Sequence, residues 1–327
     1  MNPSRKIIVC LCILKITTTA AFAQNPQTVI SNGMLKARIY LPDAENGYYR
    51  ATRFDWSGLN AEIVYGAHSY TGQWFEKYDP FLHDAVMGPV EAFSPIGFED
   101  AAANGHFTTI GVGILEKPDS ASYSPYRYYK IINPGKWKTE IKNSGVSFSQ
   151  EIREKDYSYQ YEKTETLLEG KPVMLLIHTL KNTGTREMET MVYDHNFFMI
   201  DSTVTSPAFE IIFTFPLKEK KEGSGLRDLA GILDNRIIIH RQFLKGEQVY
   251  TVLEGFDGQM KDYDIRIENQ KTGAAIHITA DRPLSKLVFW ACATVVCPEP
   301  YIQLKLKPGE TATWKISYEF YECRKTP

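Results

Sequence analysis

Hydrophobic and polar residues alternate through much of this chain, and the alternation predicts β-strands. In the segment 35–41 every second residue is apolar and its neighbours are polar or charged, which is the pattern of a strand with one buried face. The same alternation recurs at 146–149 and 157–161. A continuous apolar run at 173–180 ends in a turn signal, Asn182-Thr-Gly, and fits a strand buried on both faces.

Helical periodicity is nearly absent. We expect one short helix at 226–233 and one helical turn within 83–93. Two alternating segments, 302–306 and 312–320, flank Pro308-Gly309 and are expected to form a hairpin. Many strands separated by short turns, without a strand–helix–strand rhythm, predict an all-β fold: a large antiparallel β-sandwich of two broad sheets.

The first 23 residues have the layout of a secretory signal peptide. Arg5 and Lys6 give a basic start, residues 7–14 are apolar, and 21–23 form a small-x-small cleavage site. The apolar run is shorter than the roughly 20 residues of a membrane-spanning helix. We therefore expect a secreted or periplasmic protein with no membrane attachment after cleavage, in which residues 24–327 form one β-sandwich domain.

The cysteines predict free thiols. Cys10 and Cys12 fall within the leader, and neither follows the small residue that a lipoprotein signal requires, so a lipid anchor is the less favoured alternative. Cys292, Cys297 and Cys323 remain. Because three is an odd number, a fully paired disulfide framework is ruled out, and we expect buried free thiols.

Charge and motifs exclude several classes of function. Three of the 37 lysines and arginines leave with the leader, so 34 basic residues face 39 acidic ones, and no concentrated basic patch indicates a nucleic-acid partner. The sequence has no nucleophile-elbow motif, no phosphate-binding loop, no dinucleotide fingerprint and no recognisable metal-ligand spacing. We accordingly expect neither a cofactor nor a metal.

Two short segments carry the residues best suited to proton transfer. His195 stands in Tyr-Asp-His-Asn-Phe-Phe (193–198), and Glu299 stands between two prolines in Cys-Pro-Glu-Pro-Tyr (297–301). Alternation places Tyr193 and His195 on one face of their strand. The flanking prolines restrict the backbone around Glu299, so its carboxylate is held as a general base must be. The alternatives are a core histidine bonded to a carbonyl and a glutamate at the solvent-exposed rim.

A third group of residues has the composition of a sugar-binding surface. Aromatic rings stack on the apolar face of a pyranose, while guanidinium and carboxylate groups bind its hydroxyls. For each aromatic residue, core packing is the alternative. The residues we expect to bind substrate are Arg53, Trp56, Trp74, Glu91, Tyr193 and Phe197.

The segments around His195 and Glu299 resemble the catalytic strands of the aldose 1-epimerase (galactose mutarotase) superfamily. The resemblance implies that His195 protonates the ring oxygen of a sugar while Glu299 takes the proton of the anomeric hydroxyl. Asp194 stands where that superfamily usually has asparagine. Its earlier histidine motif has no match, Gly105-His106 being only a loose candidate, and Arg53 would have to replace its N-terminal Asn-Arg pair.

Three hypotheses follow for a protein whose partner is a small or oligomeric sugar. The first is an aldose 1-epimerase-like enzyme acting on a free sugar. The second is a lyase or another epimerase that uses the same cleft on a modified or oligomeric sugar, because one fold hosts several reactions. The third is a binding protein without turnover. They depend on whether His195 and Glu299 face one cavity of substrate size.

Overall fold

The computed structural model describes residues 25–323, and the regular secondary structure in this range is almost entirely β-strand. The leader at 1–23 lies outside the described residues, so its assignment stays a prediction. Two short 3-10 turns occur, at Ile200–Ser202 and Met260–Asp262. The strands are β1 (Gln27–Ser31), β2 (Leu35–Tyr40), β3 (Leu59–Tyr65), β4 (His68–Ser69), β5 (Gly88–Phe93), β6 (His106–Thr109), β7 (Gly113–Glu116), β8 (Ile131–Asn133), β9 (Lys136–Lys142), β10 (Gly145–Ile152), β11 (Tyr159–Leu167), β12 (Val173–Asn182), β13 (Met188–Phe197), β14 (Phe209–Phe213), β15 (Lys218–Gly225), β16 (Ala230–Leu233), β17 (Arg236–Ile239), β18 (Gln248–Glu254), β19 (Asp264–Asn269), β20 (Ala274–Ala280), β21 (Lys286–Cys292), β22 (Val296–Leu306) and β23 (Thr311–Glu322).

Two large antiparallel sheets form the body of the molecule, as the alternation predicted. The ten-stranded sheet has the order β16-β17-β14-β19-β20-β23-β12-β11-β10-β9, and the six-stranded sheet has the order β15-β18-β21-β22-β13-β5. A four-stranded sheet, β1-β2-β3-β4, and a three-stranded sheet, β6-β7-β8, complete the fold. No helix within 25–323 is long and apolar enough to cross a membrane.

Side chains from the two large sheets meet in a common core. Phe93 of β5 contacts Trp314 of β23, and Asn196 of β13 accepts a hydrogen bond from Tyr318 of β23 at 3.1 Å. The six-stranded sheet therefore has one face against the ten-stranded sheet. Its opposite face is free to carry a site.

Three local predictions were wrong. The segment 226–233 forms a turn followed by β16, and the segment 83–93 forms a loop followed by β5, so neither contains the expected helix. The segments around Pro308-Gly309 do not form a hairpin either. β22 pairs with β13 and β21 of the six-stranded sheet, whereas β23 pairs with β12 and β20 of the ten-stranded sheet. The turn at Pro308-Gly309 carries the chain from one sheet to the other. The two segments then face each other across the core, and each buries its apolar face there.

The three cysteines of the described chain are free thiols. Cys297 is buried, and Cys292 and Cys323 are half-buried.

Candidate active site

The pairing of β13 with β22 brings the two predicted catalytic segments together. Tyr193 lies opposite Tyr301, and the bridge between Phe198 and Val296 continues the same register. This register sets His195 opposite Glu299. Because alternate residues of a strand point to one face, the side chains of 193, 195 and 197 lie beside those of 297, 299 and 301.

The intervening residues of β13 point into the core. Asp194 accepts a hydrogen bond from Tyr263 at 3.0 Å, and the side-chain amide of Asn196 donates to the Pro298 carbonyl at 2.9 Å. The predicted placement of Tyr193 and His195 on one face of this strand is thus confirmed, and Asp194 and Asn196 occupy the other face. The core hydrogen bonds of Asp194 and Asn196 fix the backbone of this strand, and the fixed backbone positions Tyr193 and His195 on the opposite face.

The histidine and the glutamate are in direct contact. His195 Nε2 lies 3.4 Å from Glu299 Oε1, and both side chains are about 95% removed from solvent, with exposures of 5% and 4%. His195 Nδ1 lies 2.9 Å from Cys297 Sγ. The imidazole stacks on the Phe197 ring, with centroids 3.7 Å apart and planes within 6°. Contacts at both nitrogens and on one face leave the imidazole a single orientation.

Arg53 reaches the same site from a loop on this side of the sheet. Its guanidinium donates to the Tyr193 hydroxyl at 3.2 Å, and the Tyr193 ring stacks on Tyr301 with centroids 4.2 Å apart. The Tyr301 hydroxyl donates to Glu299 Oε2 at 3.3 Å. A cation and two tyrosines therefore surround the carboxylate, and the second oxygen of Glu299 is oriented as firmly as the first.

Burial moves the proton affinities of the two groups in opposite directions. Desolvation raises the pKa of Glu299 to about 7, although the Arg53 charge pulls it down. Desolvation, with a smaller contribution from Arg53, holds the pKa of His195 well below its usual value. When the pair carries one proton, that proton resides on Glu299 and His195 is neutral. The resemblance implied a protonated histidine, so the resting distribution of the proton differs from that expectation.

His195, Glu299, Arg53 and the two tyrosines form the floor of a cavity of about 400 Å³. Its walls are largely aromatic: Trp74 stacks on Phe197 at 5.0 Å and meets Trp290 edge-on at 5.5 Å. A flat apolar wall above polar groups matches the two surfaces of a pyranose. The lining residues are Arg53, Trp74, Asp84, Pro125, Tyr126, Tyr193, His195, Phe197, Gln248, Tyr250, Trp290, Glu299 and Tyr301.

Sequence reasoning missed several lining residues. Tyr301 could have been found, because it lies two positions after Glu299 and so shares its face. Trp290, Gln248 and Tyr250 come from β21 and β18, and only the pairing of these strands beside β22 brings them to the cavity. No local pattern marks them.

The prediction for Trp56 was wrong. Its side chain is 1% exposed, its ring N–H donates to the Ala51 carbonyl at 2.9 Å, and it packs in a core cluster rather than in the cavity wall. Nearly the whole segment 51–60 is buried, and Arg53 is the member that lines the cavity. The local density of aromatic and charged residues reflected core packing at this position.

Trp56→Ala should destabilise the fold and leave the cavity chemistry intact. Emptying a fully buried tryptophan site typically costs about 3–5 kcal/mol in free energy of unfolding. Urea denaturation of the variant and of the wild type gives this difference. Trp74→Ala is the matched control: it removes a half-buried ring from the cavity wall, so it should cost less stability and weaken sugar binding more. The reverse ranking would contradict this placement of the two tryptophans.

The prediction for Glu91 was also wrong. Glu91 pairs with Asp194 across β5 and β13, so it shares the core face of the sheet and not the His195 face. It is fully buried, contacts Lys163 Nζ through Oε2, and accepts from His178 Nε2 at 2.7 Å. Although burial alone raises the pKa of Glu91, the Lys163 charge and the His178 contact lower it to about 2. Glu91 is part of an ion network between the sheets.

Lys163→Met should cost about 3–5 kcal/mol of stability, because it leaves a buried carboxylate without its cation. The double variant Lys163→Met/Glu91→Gln removes both charges and should recover much of the lost free energy of unfolding, as measured by urea denaturation. A double variant no more stable than the single one would contradict this role.

The stability that wild-type Glu91 contributes also depends on pH. It is present above the unfolded pKa of Glu91, near 4.5, and is lost as the pH falls towards 2.

The site also groups three side chains of the types that bind metal ions. Ligand atoms of His195, Cys297 and Glu299 lie within 4.8 Å of one another. The two nitrogens of the one imidazole, however, face different partners, Nδ1 the thiol and Nε2 the carboxylate. The contacts are those of a hydrogen-bonded chain.

Comparisons with known proteins give similarity in structure alone. No family model matches the sequence, and a comparison with curated protein sequences found no match. An aldose epimerase homologue from C. elegans is 13% identical, with a TM-score of 0.57 over 91% of this chain and 99% of that one. A galactose mutarotase-like protein from Lactobacillus casei is 13% identical, with a TM-score of 0.54 over 90% and 100%. A galactose mutarotase related enzyme from Lactobacillus acidophilus is 11% identical, with a TM-score of 0.55 over 91% and 98%.

These structures match nearly their whole length to this chain at identities that establish the fold and not the reaction. The two broad antiparallel sheets are the shared feature, and the resemblance drawn from the segments around His195 and Glu299 is confirmed at the level of architecture. The chain has the galactose mutarotase-like β-sandwich fold of the aldose 1-epimerase-like structures.

Proposed function

We propose that this protein interconverts the anomers of a free sugar, with Glu299 and His195 as its general acid and base. The observation that carries the proposal is the 3.4 Å contact between His195 Nε2 and Glu299 Oε1 at the floor of an aromatic cavity of about 400 Å³. Anomer exchange needs a proton removed from the anomeric hydroxyl and another delivered to the ring oxygen. Both oxygens are bonded to one carbon, so two adjacent catalytic groups can reach them together.

For both transfers to occur together, one of the two groups must be able to give a proton while the other can take one. Either Glu299 is protonated and His195 is neutral, or Glu299 is ionised and His195 is an imidazolium. In the opening step one group takes the hydroxyl proton while the other gives a proton to the ring oxygen, and the ring bond to the anomeric carbon breaks. After rotation of the free aldehyde, reclosure runs the same transfers backwards. Each group therefore serves as acid in one step and as base in the other. A Glu299 pKa of about 7 and a depressed His195 pKa favour Glu299 as the initial donor.

The remaining cavity residues would bind and orient the sugar. Trp74 and Trp290 offer ring faces and edges to its apolar side, and the Arg53 guanidinium, which lines the cavity, offers N–H donors to a hydroxyl. Secretion through the leader at 1–23 belongs to the same proposal, since it would place the enzyme where free extracellular or periplasmic sugars occur.

Polarimetry of freshly dissolved pure anomers tests the proposal. Purified protein should speed the approach to anomeric equilibrium for at least one sugar of a panel of hexoses, pentoses and reducing disaccharides. Sugar binding without any acceleration would favour a binding protein. Consumption of the sugar to a new product would favour a lyase or another epimerase.

A further inference from the structure

The thiol behind His195 is a feature that the proposed proton transfer does not use. Cys297 lies on β22, two residues before Glu299, and its sulfur lies 2.9 Å from Nδ1 of the imidazole. It is fully buried. The ring is therefore held between a thiol at one nitrogen and a carboxylate at the other. The inference below rests on the proposed function for its catalytic meaning, and its structural part is testable without any sugar.

The direction of the hydrogen bonds that link Cys297, His195 and Glu299 depends on the charge of Glu299. An ionised carboxylate can only accept hydrogen bonds, so Nε2 must then donate to it. A neutral imidazole has a single N–H, so Nδ1 is bare in that state and must accept from the thiol. A protonated Glu299 can donate to Nε2 instead. The N–H of the ring then sits on Nδ1 and donates to the sulfur.

A thiol is suited to both states because it has a donor and an acceptor. A backbone carbonyl or a carboxylate at this position would accept only, and it would fix the proton on Nδ1. Titration of Glu299 adds or removes one proton, while the ring keeps one proton throughout and changes only the nitrogen that bears it.

The surroundings keep the thiol and the ring uncharged. Burial holds the pKa of the Cys297 thiol well above its usual value, and burial holds the pKa of His195 well below its own. The charged and titratable groups nearest the pair are the guanidinium of Arg53, the hydroxyls of Tyr193 and Tyr301, and Glu299 itself. Farther out lie Lys286, Asp84, Tyr126, Tyr250 and Cys292. Of these, only Glu299 contacts a ring nitrogen.

We propose that Cys297 is a positioning residue that holds Nδ1 of His195 in both tautomers, so that Nε2 can either donate to the substrate or accept from it. The direction of the thiol hydrogen bond follows the protonation of Glu299. This arrangement lets one imidazole serve the opening and the closing of the sugar ring without leaving its place.

Nitrogen NMR of the ligand-free protein tests the tautomer directly. Protein labelled with ¹⁵N in its histidine rings is examined at about pH 5 and about pH 9, on either side of the Glu299 pKa of about 7, and His195→Asn identifies the resonances. The protonated nitrogen should be Nδ1 at the lower pH and Nε2 at the higher pH. In Glu299→Gln the tautomer should not change with pH. A single tautomer at both pH values, or a ring that bears two protons at the lower one, would overturn the proposal.

Two variants separate positioning from packing. Cys297→Ser keeps a group that donates and accepts, so it should retain the tautomer change and most of the kcat. Cys297→Ala removes the partner and should give a mixture of tautomers. We expect its kcat to fall by about 10- to 100-fold, the range found when a residue that orients a metal-bound histidine is lost, with KM little changed. An equal loss of kcat in Cys297→Ser and Cys297→Ala would overturn the positioning role of Cys297. If Cys297→Ala does not fold, the wild-type and serine spectra still decide. Absence of anomer exchange in the wild type would sink the proposed function but leave the tautomer result standing.

Discussion

Glu299→Gln should abolish anomer exchange while leaving sugar binding largely intact. Glutamine has the shape of glutamate and can still accept from the Tyr301 hydroxyl, so the cavity keeps its form. It cannot take up or release a proton at neutral pH. General acid–base groups typically contribute about 10²- to 10⁴-fold in rate, which corresponds to roughly 3–5.5 kcal/mol of activation free energy. The fall should appear in kcat with KM almost unchanged.

A matched control for this variant is Glu189→Gln. Glu189 lies on β13, the strand that pairs with β22, but its side chain is exposed and contacts only surface partners. This substitution removes one carboxylate from the neighbouring strand and should leave turnover unchanged. Comparable losses in the two variants would mean that the effect of Glu299→Gln is a general consequence of altered charge or stability.

His195→Asn should reduce kcat by a similar factor. Asparagine keeps a polar group behind the substrate but cannot exchange a proton, and it gives up the stacking on Phe197. Calorimetric titration with the preferred sugar should show a smaller change in affinity than in rate. A variant that retains more than about a tenth of wild-type kcat would leave the histidine below the usual contribution of an acid–base group and would contradict its assigned role.

The pH dependence of the wild type provides a second test of the same pair. Activity requires one proton shared by His195 and Glu299. Raising the pH above about 7 removes it from Glu299, so kcat/KM should fall on the alkaline side. Lowering the pH adds a second proton to His195 only well below its usual pKa, so the acid limb should lie far from the alkaline one. Because the groups interact, the two limbs belong to the pair as a whole. A rate that rises steadily through pH 7 and beyond would contradict a one-proton requirement.

The sequence predicted the fold class because alternation is a local property. Several strands show their buried face within a few residues, as 35–41 does, and helical periodicity was too scarce to indicate another class. Pairing between strands is not local. The segments before and after Pro308-Gly309 have the pattern of a hairpin, and nothing within them shows that they belong to different sheets.

The candidate site was predictable where strand parity alone decides it. Tyr193, His195 and Phe197 share a face because they are two residues apart, and the resemblance supplied Glu299 as their partner. Glu91 was misplaced because its face depends on its register with Asp194, which the sequence does not specify. Trp56 was misplaced because an aromatic residue near an arginine looks the same in a core as in a sugar-binding wall. Trp290 depends on the order of β18, β21 and β22 in the sheet, and that order is set by the whole fold.

Exchange NMR between the anomers of a free sugar, with and without the protein, tests the central claim most directly. The sugar is the one that polarimetry identifies, and its methyl glycoside is the control, because that compound has no anomeric hydroxyl proton to give. We expect cross-peaks between the α and β resonances of the free sugar when wild-type protein is present. They should vanish with Glu299→Gln and should never appear for the methyl glycoside. A free sugar that binds in the cavity and exchanges its anomers no faster with wild-type protein than without it would contradict the account.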